Sequence, residues 1–215
     1  MPTLTIITGS NGAGKSSIGP GYIPAKLRDS IFDGDKLFME KKSEIWASGV
    51  RSHKECRNQA FEIVVETFEK LVNDSINNKT DFVYEGHFTN EATWDVPKKF
   101  KAAGYKIHLI FFGLTDTELS ETRVIGRANE GGHYVDPFTI QSNFYGNLEK
   151  VDKYYSLFDS VRIYDTSGVE HIELAKLKNG VPHSAVLSKE LPSWFTDNLK
   201  VITKRIIDAE GNDIA

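Results

Sequence analysis

Residues 9 to 16 read Gly9-Ser10-Asn11-Gly12-Ala13-Gly14-Lys15-Ser16, and the short β-branched run Leu4-Thr5-Ile6-Ile7 stands directly before them. A buried strand that runs into such a loop and leaves it as a helix presents a ring of backbone N–H groups to an anion. The glycines let the chain wrap a phosphate. Lys15 supplies a mobile cation for the β and γ phosphates, and the Ser16 hydroxyl suits Mg²⁺. The expected nucleotide contacts are Gly9, Ser10, Asn11, Gly12, Ala13, Gly14, Lys15, Ser16 and the adjoining Ser17, with Ser16 the metal-binding residue. A loop of this kind restricts the chain to folds in which a strand feeds a helix.

The downstream pattern agrees. Short apolar runs at Ser30-Ile31-Phe32, 81–84, Lys106 to Phe112 and Val161 to Tyr164 predict strands. Between them the first helix breaks near Gly19-Pro20-Gly21. Residues 35–78 form helix in two parts, the second opened by the capping box Ser52-x-x-Glu55. A helix kinked at Pro97 is expected over 91–103. Another runs from the capping box Thr115-x-x-Glu118 to about 129, and another from Asp136-Pro137 to about 156. This alternation predicts the α/β class: a P-loop NTPase core with a parallel sheet flanked by helices over 1–167. Residues 168–215 are a small C-terminal appendage packed on that core, with a hairpin over 170–188 and a terminal helix over 192–208.

Composition narrows the partners. A chain of 215 residues can bury a core without disulfides or metals. A net charge of −4 gives no overall field for nucleic acid or an anionic membrane. The longest apolar run, Ile107 to Leu114, is too short to span a membrane, and no signal peptide is legible. The single cysteine, Cys56, excludes an intramolecular disulfide framework and suits a reducing, cytoplasmic setting. Cys56 reads as a buried small hydrophobe, and Trp46, Trp94 and Trp194 read as packing residues.

Phosphoryl transfer to an alcohol needs fixed positive charge and a carboxylate to take the proton. Asp33 and Asp35 follow the second strand, where strand C-termini face the ligand crevice; Asp35 is either the base or a helix cap. Glu85 ends the next strand, suited to an acceptor or a Mg²⁺-bound water, or else an ordinary exposed carboxylate. Arg123 and Arg127 lie four apart on one helix face, either gripping a triphosphate or pairing with Glu121 and Glu130. His133, after Gly131-Gly132, either touches substrate or holds the turn.

In order, Gly9 to Ser16, Phe32-Asp33-Gly34-Asp35, Tyr84-Glu85-Gly86, Arg123-Val124-x-x-Arg127-x-x-x-Gly131-Gly132-His133 and Ile163-Tyr164-Asp165-Thr166-Ser167 resemble the zeta toxin family of P-loop kinases. The resemblance covers about residues 3–167. It implies ATP- and Mg²⁺-dependent phosphorylation of a sugar hydroxyl, with UDP-N-acetylglucosamine as acceptor. In that picture Asp35 is the base, Glu85 holds the acceptor, and Lys15, Arg123 and Arg127 hold the phosphates. The resemblance also implies a toxin–antitoxin partner.

The chain departs from the pattern after Gly132-His133, where Asp136-Pro137 stands in place of an earlier proline. Asn143 takes the place of an arginine, with Lys150 and Lys153 the candidate substitutes. The competing reading is an ATP-dependent switch or partner-regulated ATPase without a small acceptor. No Leu-Ser-Gly-Gly-Gln-like signature of transporter-type ATPases accompanies the loop.

Overall fold

The computed structural model describes residues 1–130, 132 and 134–212. Its sheet holds seven strands in the order β2-β3-β1-β4-β5-β6-β7. The strands are β1 (Thr3–Gly9), β2 (Phe32–Asp33), β3 (Phe82–Glu85), β4 (Lys106–Gly113), β5 (Ser160–Asp165), β6 (Ile172–Lys178) and β7 (Val181–Ala185). The first five are mutually parallel, and β6 and β7 are antiparallel additions beside β5. The helices are α1 (Lys15–Ile18), α2 (Gly34–Ala47), α3 (His53–Asn78), α4 (Asp95–Ala102), α5 (Thr117–Asn129), α6 (Pro137–Tyr154), α7 (Ser193–Asn198) and α8 (Lys200–Asn212). The chain goes from β1 outward to β2, returns to β3, and then crosses to β4 on the other side of β1. Reversal of this kind opens a crevice at the strand C-termini beside β1.

Central parallel strands are covered on both faces, which their composition requires. Leu4, Ile6 and Ile7 of β1 and Ile107, Leu109, Phe111 and Phe112 of β4 are buried. Four capping signals act locally. Ser52 accepts from the Glu55 amide at the start of α3, and Asp136 from the Thr139 amide at the start of α6, as the sequence predicts. Asp33 caps α2 and Asp116 caps α5.

Several expectations are corrected. The cap of α5 is Asp116 rather than Thr115, because its carboxylate reaches the Leu119 amide at 2.8 Å. Pro97 does not kink a helix over 91–103. A 3₁₀ turn, Glu91–Trp94, capped by Asn90, precedes α4, and Pro97 sits in the first turn of α4, where a missing N–H breaks no bond. The second strand is Phe32–Asp33, so Asp33 belongs to the sheet. The terminal helix is two helices divided at the buried Leu199. Its second part begins where Asp152 of α6 accepts the Val201 and Ile202 amides at 2.9 Å each. Trp94 and Trp194 are buried, but Trp46 is 38% exposed and stacks on His53. Cys56 is buried.

Residues 172–185 extend the central sheet, and Trp194 locks α7 against it. Its indole N–H donates to Asp165 Oδ2 at 3.2 Å. Its ring lies over Gly113, where a Cβ would come within 2.1 Å of ring carbon. No helix among the described residues is long and apolar enough to cross a membrane.

Candidate functional site

The site grows from the ends of β1, β3 and β2. Gly9 closes β1 beside Phe112, so tightly that a Cβ there would stand 2.1 Å from the Phe112 carbonyl oxygen. Gly12 adopts φ +73° and lies against α5, where a Cβ would meet the Cβ of Arg123 at 2.9 Å. The loop is thus pressed onto both β4 and α5, and glycine is what permits each approach.

Lys15 is buried, and its ammonium donates to the carbonyl oxygens of Gly9 at 3.2 Å and Ser10 at 3.0 Å. Burial lowers its pKa below the ordinary lysine value; the charges of Glu85, Asp35 and Asp33 oppose that, and Arg127 adds to it. The Ser16 hydroxyl donates to Glu85 Oε2 at 2.8 Å. Burial raises the Glu85 pKa, Lys15 lowers it, and Asp33 raises it further. Ser10 carries a buried hydroxyl with no hydrogen-bond partner among the described residues, an unsatisfied donor inside the loop.

The register explains why these carboxylates meet. Glu85 lies beside Ile7 of β1 on one side and Asp33 of β2 on the other. Asp33 also accepts the Lys36 amide at 3.0 Å, so it, not Asp35, is the cap of α2. Asp35 occupies the first turn of α2 and is exposed, and its charge reaches both Lys15 and Glu85.

Helix α5 brings Arg123 and Arg127 to the same cavity, of about 200 Å³, that Lys15, Ser16 and Glu85 line. Arg123 is held firmly. Its guanidinium donates to the carbonyl oxygens of Gly12 at 3.3 Å, Thr166 at 2.8 Å and Ser167 at 2.8 Å. Lys150 and Lys153 do not line this cavity, and both pair with Glu91 instead. His133 and Gly131 lie outside the described residues.

Further residues that sequence reasoning gave no role brace the loop. Ser120 donates to the Asn11 carbonyl at 2.6 Å, and Thr166 to the Ala13 carbonyl at 3.0 Å. Asn143 Nδ2 donates to Asn11 Oδ1 at 2.8 Å. The fully buried Asn147 accepts from Thr8 Oγ1 at 3.2 Å and from the Phe88 amide at 2.6 Å, and donates to the Asn143 carbonyl at 2.5 Å. One signal for it was in the sequence: an asparagine set among Ile140, Phe144, Leu148 and Val151, the buried stripe of α6.

A family model described as zeta toxin matches residues 1–174. The chain belongs to the zeta toxin family. Solved structures place this zeta toxin family member by fold. The AvrRxo1-ORF1:AvrRxo1-ORF2 complex with sulphate ions contains a chain that superposes with a TM-score of 0.69 at 20% identity, covering 93% of this chain and 64% of that one. The same complex with ATP gives 0.66 at 20% identity, with 96% and 64% covered. The PezAT chromosomal toxin–antitoxin system of Streptococcus pneumoniae gives 0.53 at 18% identity, with 100% and 86% covered. The chain therefore spans 64% of the length of its AvrRxo1 counterparts. No curated protein matched it.

Proposed function

We propose that this protein is an ATP-dependent kinase that transfers the γ-phosphoryl group to a hydroxyl of a small molecule. The observation that carries this reading is the single cavity in which Lys15, Arg123 and Arg127 face Glu85, itself bonded to Ser16. Three cations gathered at a glycine loop suit a triphosphate, and a chain of similar fold was solved in a complex with ATP.

The acceptor oxygen attacks the γ-phosphorus in line. A new O–P bond forms, the bond to the β–γ bridging oxygen breaks, and ADP leaves with that electron pair. Asp35 takes the acceptor proton. Lys15 and Arg127 stabilise the migrating charge, while Arg123 fixes the loop from the carbonyl oxygens of Gly12, Thr166 and Ser167. Ser16 and Glu85 offer the hard oxygen ligands that suit Mg²⁺, which when bound neutralises phosphate charge. Asp33, beside Glu85 in the sheet, holds the start of α2 as its cap. An antitoxin is the proposed protein partner, by likeness to chains solved as the AvrRxo1-ORF1:-ORF2 complex and the PezAT system, and the cytoplasm is the proposed location.

UDP-N-acetylglucosamine, the acceptor that the family resemblance implies, is the reference compound for the test. Purified protein with Mg-ATP and this sugar is followed by ³¹P NMR, with Lys15→Ala as control. A new sugar-phosphate resonance that the variant lacks establishes the kinase and that acceptor. ADP and free phosphate without it favour the ATPase reading or another acceptor. Turnover unchanged in Lys15→Ala removes the site from the reaction.

A further inference from the structure

Trp194 stands beyond the residues that the family model matches, 1–174, yet hydrogen bonds link it to the phosphate loop. Its indole N–H donates to Asp165 Oδ2 at 3.2 Å, at the end of β5. The other carboxylate oxygen, Oδ1, accepts the Ser167 amide at 2.8 Å, so the aspartate holds the backbone two residues on. The Ser167 carbonyl accepts from Arg123 Nη2 at 2.8 Å, and Arg123 Nη1 donates to the Gly12 carbonyl at 3.3 Å. Four hydrogen bonds in series thus run from α7 to the loop.

The turn Asp165-Thr166-Ser167 is gripped from several sides. The Thr166 amide donates to the Gly113 carbonyl at 3.0 Å, and Ser167 Oγ accepts the Thr115 amide at 2.8 Å. The Thr166 hydroxyl lies 3.0 Å from the Ala13 carbonyl of the loop. Trp194 adds the grip from the C-terminal segment. It is a rigid post, because the ring is buried over Gly113 and Asn198 Nδ2 donates to its carbonyl at 2.8 Å. A carboxylate with a donor at each oxygen is fixed in rotation. Without the indole N–H, Oδ2 loses its donor, the carboxylate is free to turn, and the Ser167 amide is no longer held in line.

Resting on the kinase reading, we infer that Trp194 is a positioning residue for the nucleotide, acting through Asp165 and Ser167 on Arg123 and the phosphate loop. Nucleotide affinity is thereby coupled to the seating of α7, a segment that the family model does not cover. The C-terminal appendage is part of the nucleotide site's support, not only a cover for the sheet edge.

The test measures Mg-ADP binding by calorimetry in the full chain, in Trp194→Phe, in Asp165→Asn and in the double variant. Trp194→Phe keeps a ring over Gly113 and drops the N–H. Asp165→Asn keeps one oxygen for Ser167 but sets an NH₂ group against the indole donor. Each single variant should weaken binding about tenfold, and the double variant should be no weaker than the poorer single. Urea denaturation fixes the folded fraction of each variant, since lost stability alone lowers affinity only by the fraction unfolded. Unchanged affinity in folded Trp194→Phe overturns the proposal, as do two losses that multiply in the double variant. Wild-type protein with ¹⁵N-indole tryptophan asks the same question without a substitution. The Trp194 N–H signal, assigned from its proximity to Gly113, should shift in step with Mg-ADP bound; a signal unmoved at saturation overturns the proposal even where a variant does not fold. Failure of the kinase reading appears elsewhere, as a wild type that binds Mg-ADP in this way but transfers no γ-phosphoryl group from ATP to a hydroxyl.

Discussion

The Ser16 hydroxyl donates to Glu85 Oε2 at 2.8 Å, joining the phosphate loop after β1 to the end of β3. The bond crosses between two strands whose register already sets Ile7 beside Glu85. Ser16 and Glu85 are 69 residues apart in sequence, and both line the cationic cavity that Lys15, Arg123 and Arg127 share.

Glu85 makes stability depend on pH. Burial raises its pKa above the ordinary glutamate value of 4.5, against the pull of Lys15. The folded protein therefore holds this proton more tightly than the unfolded chain. The resulting cost is absent below pH 4.5, grows as pH climbs through the raised value, and is complete beyond it. Glu85→Gln should raise the unfolding temperature of the ligand-free protein at pH 7. That advantage should shrink as the pH falls towards 4.5, measured by thermal denaturation across the range. An advantage that grows on acidification contradicts the assigned environment.

The two aspartates near the loop should separate by experiment. Asp33→Ala removes the α2 cap and should cost about 1 kcal/mol in urea denaturation. Asp35→Asn leaves that cap intact and should lower phosphoryl transfer by about 10²–10⁴ with little change in stability. Equal turnover in wild type and Asp35→Asn moves the role of base to another carboxylate, with Glu85 next in line.

Arg123 and Arg127 share a cavity but not a role. Arg123 forks across three carbonyl oxygens, a geometry that an ammonium does not reproduce. Arg123→Lys should destabilise the fold by about 1–3 kcal/mol and weaken ATP binding through the loop, read by denaturation and calorimetry. Arg127→Lys keeps a charge in the cavity and should retain more activity than Arg127→Ala, which should lose about 10²-fold or more in turnover. Comparable rates for the two Arg127 variants contradict a charge-stabilising role.

Asn147 should be the most sensitive of the bracing residues. Replacing it with alanine strands the buried Thr8 hydroxyl and the Phe88 amide, and removes the 3.0 Å contact to His87 Nδ1. The expected loss is about 3 kcal/mol. Asn143→Ala removes only the bond to Asn11 and should cost about 1 kcal/mol, with a larger effect on ATP affinity than on stability. A reversed order of the two variants in urea denaturation refutes the assignment.

Local signals were legible where the physics is local. The glycine loop, the Ser52 and Asp136 caps and the apolar runs of β1 and β4 depend on backbone freedom, reach of a side chain to a nearby amide, and burial of a continuous strand. Reading failed where two local solutions compete. Thr115 and Asp116 are both good caps, and only the path of the chain out of β4 selects Asp116. Pro97 reads as a kink inside a longer helix or as a first-turn residue, and the 3₁₀ segment before it decides. The break at Leu199 comes from a residue 47 positions earlier, since Asp152 supplies the acceptor for the start of α8 (199 minus 152).

The sequence by itself determined the order of strands and helices, the phosphate loop and the series of motifs that marks the family, because each rests on residues close together in the chain. Tertiary structure alone decided which charges meet. Parallel pairing places Asp33 and Glu85 side by side, and Ile7 next to Glu85 brings that carboxylate to Ser16. Packing of α5 and α6 against the loop turns Arg123, Asn143 and Asn147 into its braces. Such contacts join residues distant in sequence. Their strength depends on burial and on distances of a few ångströms, which only the folded chain fixes.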